Sequence, residues 1–256
     1  MNELRRDREA RSEPTFLRFR VPSRSAGRLR TRLSLALFWL SFAGHAAGAD
    51  VELPVPGSAG WQELLFPKIE RHTAYRPRDG FVEAEGDCSA SALYHTATEI
   101  DLRKTPRLSW EWRVEQAIAA HDERVKAGDD FAARVYVTFR FDPDRASLWE
   151  RVQNKVGATL YGADLPGSAL TYVWSTREPA GSRWDNPYTE SAKMISLGKG
   201  RLDDWKREIV NIADDYRSFH GQDAPPLLIV ALMTDTDNTC SRARASFRRF
   251  RFLPAE

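Results

Sequence analysis

The segment Phe131–Phe141, FAARVYVTFRF, alternates apolar and polar positions with a period of two. Phe131, Ala133, Val135, Val137, Phe139 and Phe141 share one parity, and Arg134, Tyr136, Thr138 and Arg140 share the other. Successive side chains of a strand point to opposite faces, so this pattern predicts a strand with one buried face. Other short segments rich in β-branched and aromatic residues, divided by turn residues, predict strands near 62–66, 72–77, 81–86, 90–98, 107–114, 169–176, 191–197, 204–210, 226–234 and 243–252. Pro225–Met233, PPLLIVALM, is apolar at both parities, which predicts a central strand covered on both faces or a strand under a helix. In the last segment Ala243, Ala245 and Phe247 share one parity and Phe250 and Phe252 the other. A β-bulge near Arg248–Arg249 would turn all five inward. Helices are few. Leu148, Trp149, Val152, Val156 and Leu160 recur at helical spacing within 145–161, and 209–219 predicts a short helix stopped by Gly221. Residues 116–127 read as a helical turn or a polar loop. The expected fold is all-β: an antiparallel β-sandwich, jelly-roll-like, with one or two short peripheral helices, filling 61–256 as a single domain.

The chain before that domain reads as an address. Arg28, Arg30 and Arg32 precede the apolar run Leu33–Gly44, and Ala47-Gly48-Ala49 follows as a small-residue cleavage pattern. Residues 1–49 are therefore expected to be a signal peptide with an N-terminal extension, and 50–60, rich in Pro and Gly, an extended lead-in. The apolar run is short for a membrane anchor, so no stable span is expected after cleavage. The polar stretch 2–20 is long for a signal, and a translation start at Val21 would give one of ordinary length. The expected location is periplasmic or secreted.

Charge sharpens this division. Residues 1–49 hold ten Lys and Arg against four Asp and Glu, a local charge of +6; the rest of the chain holds 28 against 32, or −4. The expected domain is slightly acidic, which removes the electrostatic basis for nucleic-acid binding. Export also bears on the two cysteines, Cys88 and Cys240. An oxidising compartment permits a disulfide between them, and two separate buried thiols are the alternative.

No P-loop, G-x-G-x-x-G, G-x-S-x-G, H-E-x-x-H or C-x-x-C occurs. Asp129 and Asp130, at the entrance to the clearest strand, and Asp235 and Asp237, after the most apolar one, are candidate acid/base carboxylates. Turn chemistry explains the same residues without a reaction. Asp235, Asp237 and Asn238 offer oxygens to Ca²⁺, but the Gly and closing Glu of an EF-hand loop are missing, and no cofactor is otherwise expected. Trp174, Trp184, Asp185, Asn186 and Tyr188 put rings and polar groups around one loop, a composition suited to a sugar. Trp110 and Trp112 share a strand face and read as core residues before a sugar platform. Arg242, Arg244, Arg248, Arg249 and Arg251 crowd the last strand, where pairing with carboxylates or protection of an edge is the expected role and anion binding the other.

The series W-x-W-x-V at Trp110–Val114, K-x-G-D-D-F-x-A-R-V-Y at Lys126–Tyr136, Y-x-W-S at Tyr172–Ser175, N-P-Y-T at Asn186–Thr189, D-Y-x-x-F at Asp215–Phe219 and M-T-D-T-D-N-T at Met233–Thr239 resembles a family of exported bacterial proteins known as a domain of unknown function. The resemblance spans most of 60–252 and implies an extracytoplasmic single domain. It brings no activity and no catalytic residue. The strand-rich pattern is more loosely similar to galactose-binding-type jelly rolls, and a fold alone does not set a function. The expected function is a non-catalytic module binding a glycan or another cell-envelope component. A carboxylate-dependent enzyme acting on a glycan or related polymer, and a structural or assembly protein of the envelope, are the alternatives.

Overall fold

The computed structural model describes residues 49–144 and 166–256. The expected leader and the expected helix at 145–161 lie outside the described residues. Thirteen strands appear among them: β1 (Val51–Glu52), β2 (Trp61–Leu64), β3 (Ala74–Arg78), β4 (Phe81–Asp87), β5 (Ala92–Thr96), β6 (Arg107–Gln116), β7 (Phe131–Arg140), β8 (Pro166–Val173), β9 (Arg183–Asn186), β10 (Thr189–Ser196), β11 (Lys206–Asn211), β12 (Leu227–Asp235) and β13 (Arg242–Leu253). One helix, α1 (Ile212–His220), follows β11. Its Asn211 cap accepts the Asp214 N–H at 3.2 Å, and Gly221 ends it in the left-handed region at φ 66°. No described helix is long and apolar enough to cross a membrane.

The strands form two sheets. The first has the order β11-β6-β13-β4-β3, with β1 also paired to β13; the second runs β2-β5-β12-β7-β8-β10-β9. Every pairing is antiparallel except β8–β10, which is parallel. The protein is an all-β sandwich, with that one parallel pair departing from the expected antiparallel pattern.

Period-two alternation fills the space between the sheets. Val135, Val137 and Phe139 of β7 and Val230 and Leu232 of β12 meet Trp110 and Trp112 of β6 and Phe247, Phe250 and Phe252 of β13 in one buried cluster. The Trp110 and Trp112 rings lie edge to face with centroids 5.3 Å apart, both fully buried, so this pair is core. In β13 the register shifts between Arg248 and Arg251, and Arg249 takes φ 57°. The bulge turns Phe250 and Phe252 inward and sends Arg249 and Arg251 to the outer face.

The outer face of the second sheet is also covered, as the apolar run in β12 predicts. Ala231 and Met233 of β12 pack there with Ala90, Ala92, Tyr94, Tyr136, Phe66 and Ile69. A second outer cluster joins Phe131, Val173, Trp184 and Met194. The segment 117–130 meets this cluster through Arg124, whose guanidinium lies 5.2 Å from the Trp184 ring. Buried Glu123 ties it down by accepting the Thr176 and Arg177 N–H groups at 2.9 and 3.3 Å and the Thr176 hydroxyl at 3.0 Å.

Candidate functional site

The candidate site is a cleft of about 550 Å³ on this outer face, lined by Phe66, Ile69, Tyr136, Tyr188 and Met233 together with Asp129, Arg134, Asp235, Asp237 and Asn238. β7 and β12 are antiparallel neighbours, with Asp235 paired opposite Phe131. That register brings the turn before β7, with Asp129 and Asp130, against the end of β12, with Asp235, and the turn after it, with Asp237. Two acidic turns about a hundred residues apart in sequence thus become one cluster. Gly128 lets the first turn form: a Cβ there would stand 2.1 Å from the Asp122 carbonyl oxygen.

The four carboxylates have different work. Asp130 is fully buried and accepts the N–H groups of Asn238 at 3.1 Å and Thr239 at 2.6 Å, plus the Thr239 hydroxyl at 2.6 Å. It holds the 236–241 loop. Asp235 is gripped by Arg134, whose Nε donates to Oδ1 at 2.8 Å and whose Nη2 donates to Oδ2. Arg134 also donates to the Tyr136 hydroxyl at 2.7 Å and to the Asp129 carbonyl. This guanidinium is buried and organises the floor of the cleft. Asp129 accepts from Asn186 Nδ2 at 3.3 Å through Oδ2, and its Oδ1 has no hydrogen-bond donor, only Arg134 Nη1 at 3.6 Å. Asp237 is half-buried and lines the cleft.

Burial raises the carboxyls of Asp129 and Asp237 from their ordinary value and that of Asp235 well above it. Neighbouring Asp130 raises all three further, and Arg134 pulls all three back without cancelling the rise. One oxygen each from Asp130, Asp235 and Asp237 lies within 4.8 Å of the others, a donor set of the hard type that suits Ca²⁺. Asn238 spends its amide Nδ2 on the Tyr188 hydroxyl at 2.9 Å.

The aromatic–polar loop divides between core and cleft. Tyr188 reaches the cleft, 54% exposed, with its hydroxyl also donating to the Lys126 carbonyl at 3.3 Å, and Asn186 meets it through the bond to Asp129. Asp185 stands at the sheet edge, paired with Lys193 at 2.6 Å. Trp174 and Trp184 are only 4% and 8% exposed. Trp174 belongs to the inner core, and Trp184 lies in the outer cluster with the Arg124 guanidinium 5.2 Å from its ring. Their faces are spent on packing and are not offered to a sugar ring. Trp184→Ala is expected to cost about 3–5 kcal/mol in urea unfolding, as core aromatic truncations do, and an unchanged midpoint would contradict its place in the packing.

Arg134, Tyr136 and Met233 fall within the quoted family motifs but carry no chemistry there that marks them as site residues, and Phe66 lies in no motif. The one pattern that bears on them is the double-sided apolar character of β12, which says that something covers the outer face. Cys88 and Cys240 are bonded across a separation of 152 residues. The bridge, with the Cys88 N–H donating to the Ser241 carbonyl at 2.9 Å and the Thr236 N–H to the Ser89 carbonyl at 3.0 Å, fixes the loop that presents Asp237 and Asn238.

A family model described as "Protein of unknown function (DUF3047)" matches residues 59–251. No curated protein matches the chain. Among solved structures, the chain is similar to a family 11 carbohydrate-binding module from Clostridium thermocellum in complex with a β-1,3-1,4-mixed-linked tetrasaccharide, at TM-score 0.40 and 9% identity over 82% of this chain and 98% of that one. It is likewise similar to a family 30 carbohydrate-binding module of a Clostridium thermocellum cellulosomal cellulase, at TM-score 0.40 and 9% identity over 81% and 99%. A third is the xyloglucanase domain of a type three effector from Sinorhizobium fredii in complex with cellobiose, at 0.41 and 8% over 81% and 98%.

Proposed function

The chain belongs to the DUF3047 family, and from the chemistry of its own cleft we propose that it is an exported, non-catalytic module that holds a glycan or other cell-envelope component there. The observation that carries this reading is the lining itself. Tyr188, Tyr136 and Phe66 supply apolar ring surface, and Asp129, Asp237 and Asn238 supply acceptors and a donor at its margin. Sugar rings present C–H faces to aromatic groups and hydroxyls to carboxylates and amides, so this mixture matches them. The volume falls within the range of small-ligand pockets. Two of the four carboxylates are committed to holding the loop and Arg134, which favours a binding role over a reacting pair. The reading needs no resident cofactor.

A second reading has one observation in its favour. Burial raises the Asp129 and Asp237 carboxyls from their ordinary value, the direction in which a general acid is tuned. Turnover of a bound glycan, lost in Asp237→Asn while binding persists, would establish it over the first.

Calorimetry with soluble β-glucans, xylans, chitin oligosaccharides and peptidoglycan fragments tests the proposal. We expect saturable binding of at least one class, weakened about tenfold or more by Tyr188→Ala and by Asp237→Asn. Absence of binding across the panel, or wild-type affinity in both variants, would overturn it.

A further inference from the structure

The outer face of the other sheet carries arginines from neighbouring strands around one hollow. β11, β6 and β13 lie side by side there, with Arg207 of β11 paired to Glu111 of β6 and Arg251 of β13 paired to Ser109 of β6. The β13 bulge adds Arg249 to the same face. Ser109, Glu111, Arg207, Arg249 and Arg251 enclose a hollow of about 170 Å³.

The hydrogen bonds around this hollow leave donors without acceptors. Both Glu111 oxygens are taken, one by Arg248 Nε at 2.7 Å and the other by Arg249 Nη1 at 3.0 Å. Arg251 uses Nη2 on Glu52 at 3.0 Å, while its Nε is buried with no partner. Arg207 donates Nε to the Ser109 hydroxyl oxygen at 3.2 Å, and among the described residues no carboxylate pairs with it. The Ser109 oxygen is thereby an acceptor, which leaves its own proton to donate. Four guanidiniums, those of Arg207, Arg248, Arg249 and Arg251, face two carboxylates, Glu111 and Glu52. A buried N–H without an acceptor is costly, and native structures supply one.

We propose that this hollow binds a tetrahedral oxyanion, phosphate or sulfate, free or as a monoester of a larger molecule. Its oxygens would accept from Arg251 Nε, from the unused nitrogens of Arg207 and Arg249 and from the Ser109 hydroxyl. Planar guanidinium forks are suited to such a group, and several together give strong charge-assisted bonds. Cross-strand pairing accounts for Arg242 with Asp87 and Arg248 with Glu111. It does not account for Arg207 or for the Arg251 Nε, and the oxyanion does.

The test is a titration of the ¹⁵N-labelled protein with inorganic phosphate, inorganic sulfate and glucose 6-phosphate, read at the arginine Nε–H resonances. Sodium chloride at matched ionic strength is the control. Phosphate and sulfate are expected to shift the Arg251 and Arg207 signals saturably, and chloride is not. Arg207→Gln, a change at an exposed side chain, is expected to weaken binding about tenfold. Arg244→Gln, a change at an exposed arginine of β13 outside the hollow, leaves it unchanged. Glucose 6-phosphate binding as well as phosphate would mark a site for an esterified ligand, and its exclusion a site for the free anion. No saturable shift with phosphate or sulfate, equal shifts with chloride, or wild-type affinity in Arg207→Gln would overturn the proposal.

Discussion

Arg134→Met is expected to destabilise the protein by about 3–5 kcal/mol, because it breaks a buried ion pair from one side only. Met replaces the stem of the side chain but not its charge. Asp235 then keeps its burial without the two guanidinium bonds it now accepts, and the Asp129 carbonyl and Tyr136 hydroxyl lose their donor. The loss also depends on pH. Arg134 now pulls the Asp129, Asp235 and Asp237 carboxyls down against the effect of burial. Without it their folded-state values rise further above the unfolded ones. A carboxyl raised in the folded state favours folding below its unfolded value, and that contribution is lost as pH climbs through the folded value. The deficit of Arg134→Met should therefore be largest near neutral pH and shrink on acidification toward the ordinary carboxylate range. Chemical unfolding at a series of pH values reads both effects. A deficit under about 1 kcal/mol, or one that grows on acidification, would show that the guanidinium does not hold the cluster.

The second large effect belongs to the disulfide. Cys88→Ser with Cys240→Ser is expected to cost about 3–5 kcal/mol, since a bridge spanning 152 residues removes a large share of the entropy of the unfolded chain. The consequence extends to the cleft. The bridge sits beside the Thr236–Ser241 contact and steadies the loop that Asp130 holds from the other side. Loosening it frees Asp237 and Asn238, so the double variant should bind ligand more weakly even where it is fully folded. Unfolding curves and calorimetry on one preparation separate the two effects. Unchanged stability would contradict the pairing, and unchanged affinity in the folded variant would contradict its part in the site.

Much of the sandwich is legible in the chain because its strands are half-buried and their alternation is clean. Phe131–Phe141 gives β7 almost residue for residue, and the phase change in Ala243–Phe252 marks the bulge. PPLLIVALM announces a strand covered on both sides, as β12 is. Arg183–Asn186 gives no such signal: four residues at a sheet edge, half of them charged, have no apolar period, and β9 is made by its pairing with β10. The parallel β8–β10 pair is invisible for a related reason, since strand direction is set by the connection and not by the alternation.

The site was legible in pieces. Asp129-Asp130 and Asp235–Asp237 each stand out as acidic turns, but only the β7–β12 register joins them. Arg134 reads as a solvent-facing position of an amphipathic strand, and its buried place against Asp235 depends on the β7–β12 register about a hundred residues away. Trp184 reads as a surface ring because Asp185, Asn186 and Pro187 follow it, yet tertiary packing beneath Arg124 makes it part of the core. Residue type and spacing locate chemistry along a strand. Which side of a sheet the loops will cover depends on contacts that a linear pattern does not contain.

The most direct measurement is to map the bound ligand onto the backbone. With the tightest glycan of the panel present, amide chemical shifts should move at Phe66–Ile69, Asn186–Tyr188 and Thr236–Asn238, with Arg134 and Tyr136 on the cleft floor. Changes confined to the first sheet or to β10, with those segments unmoved, would contradict the assignment of the cleft.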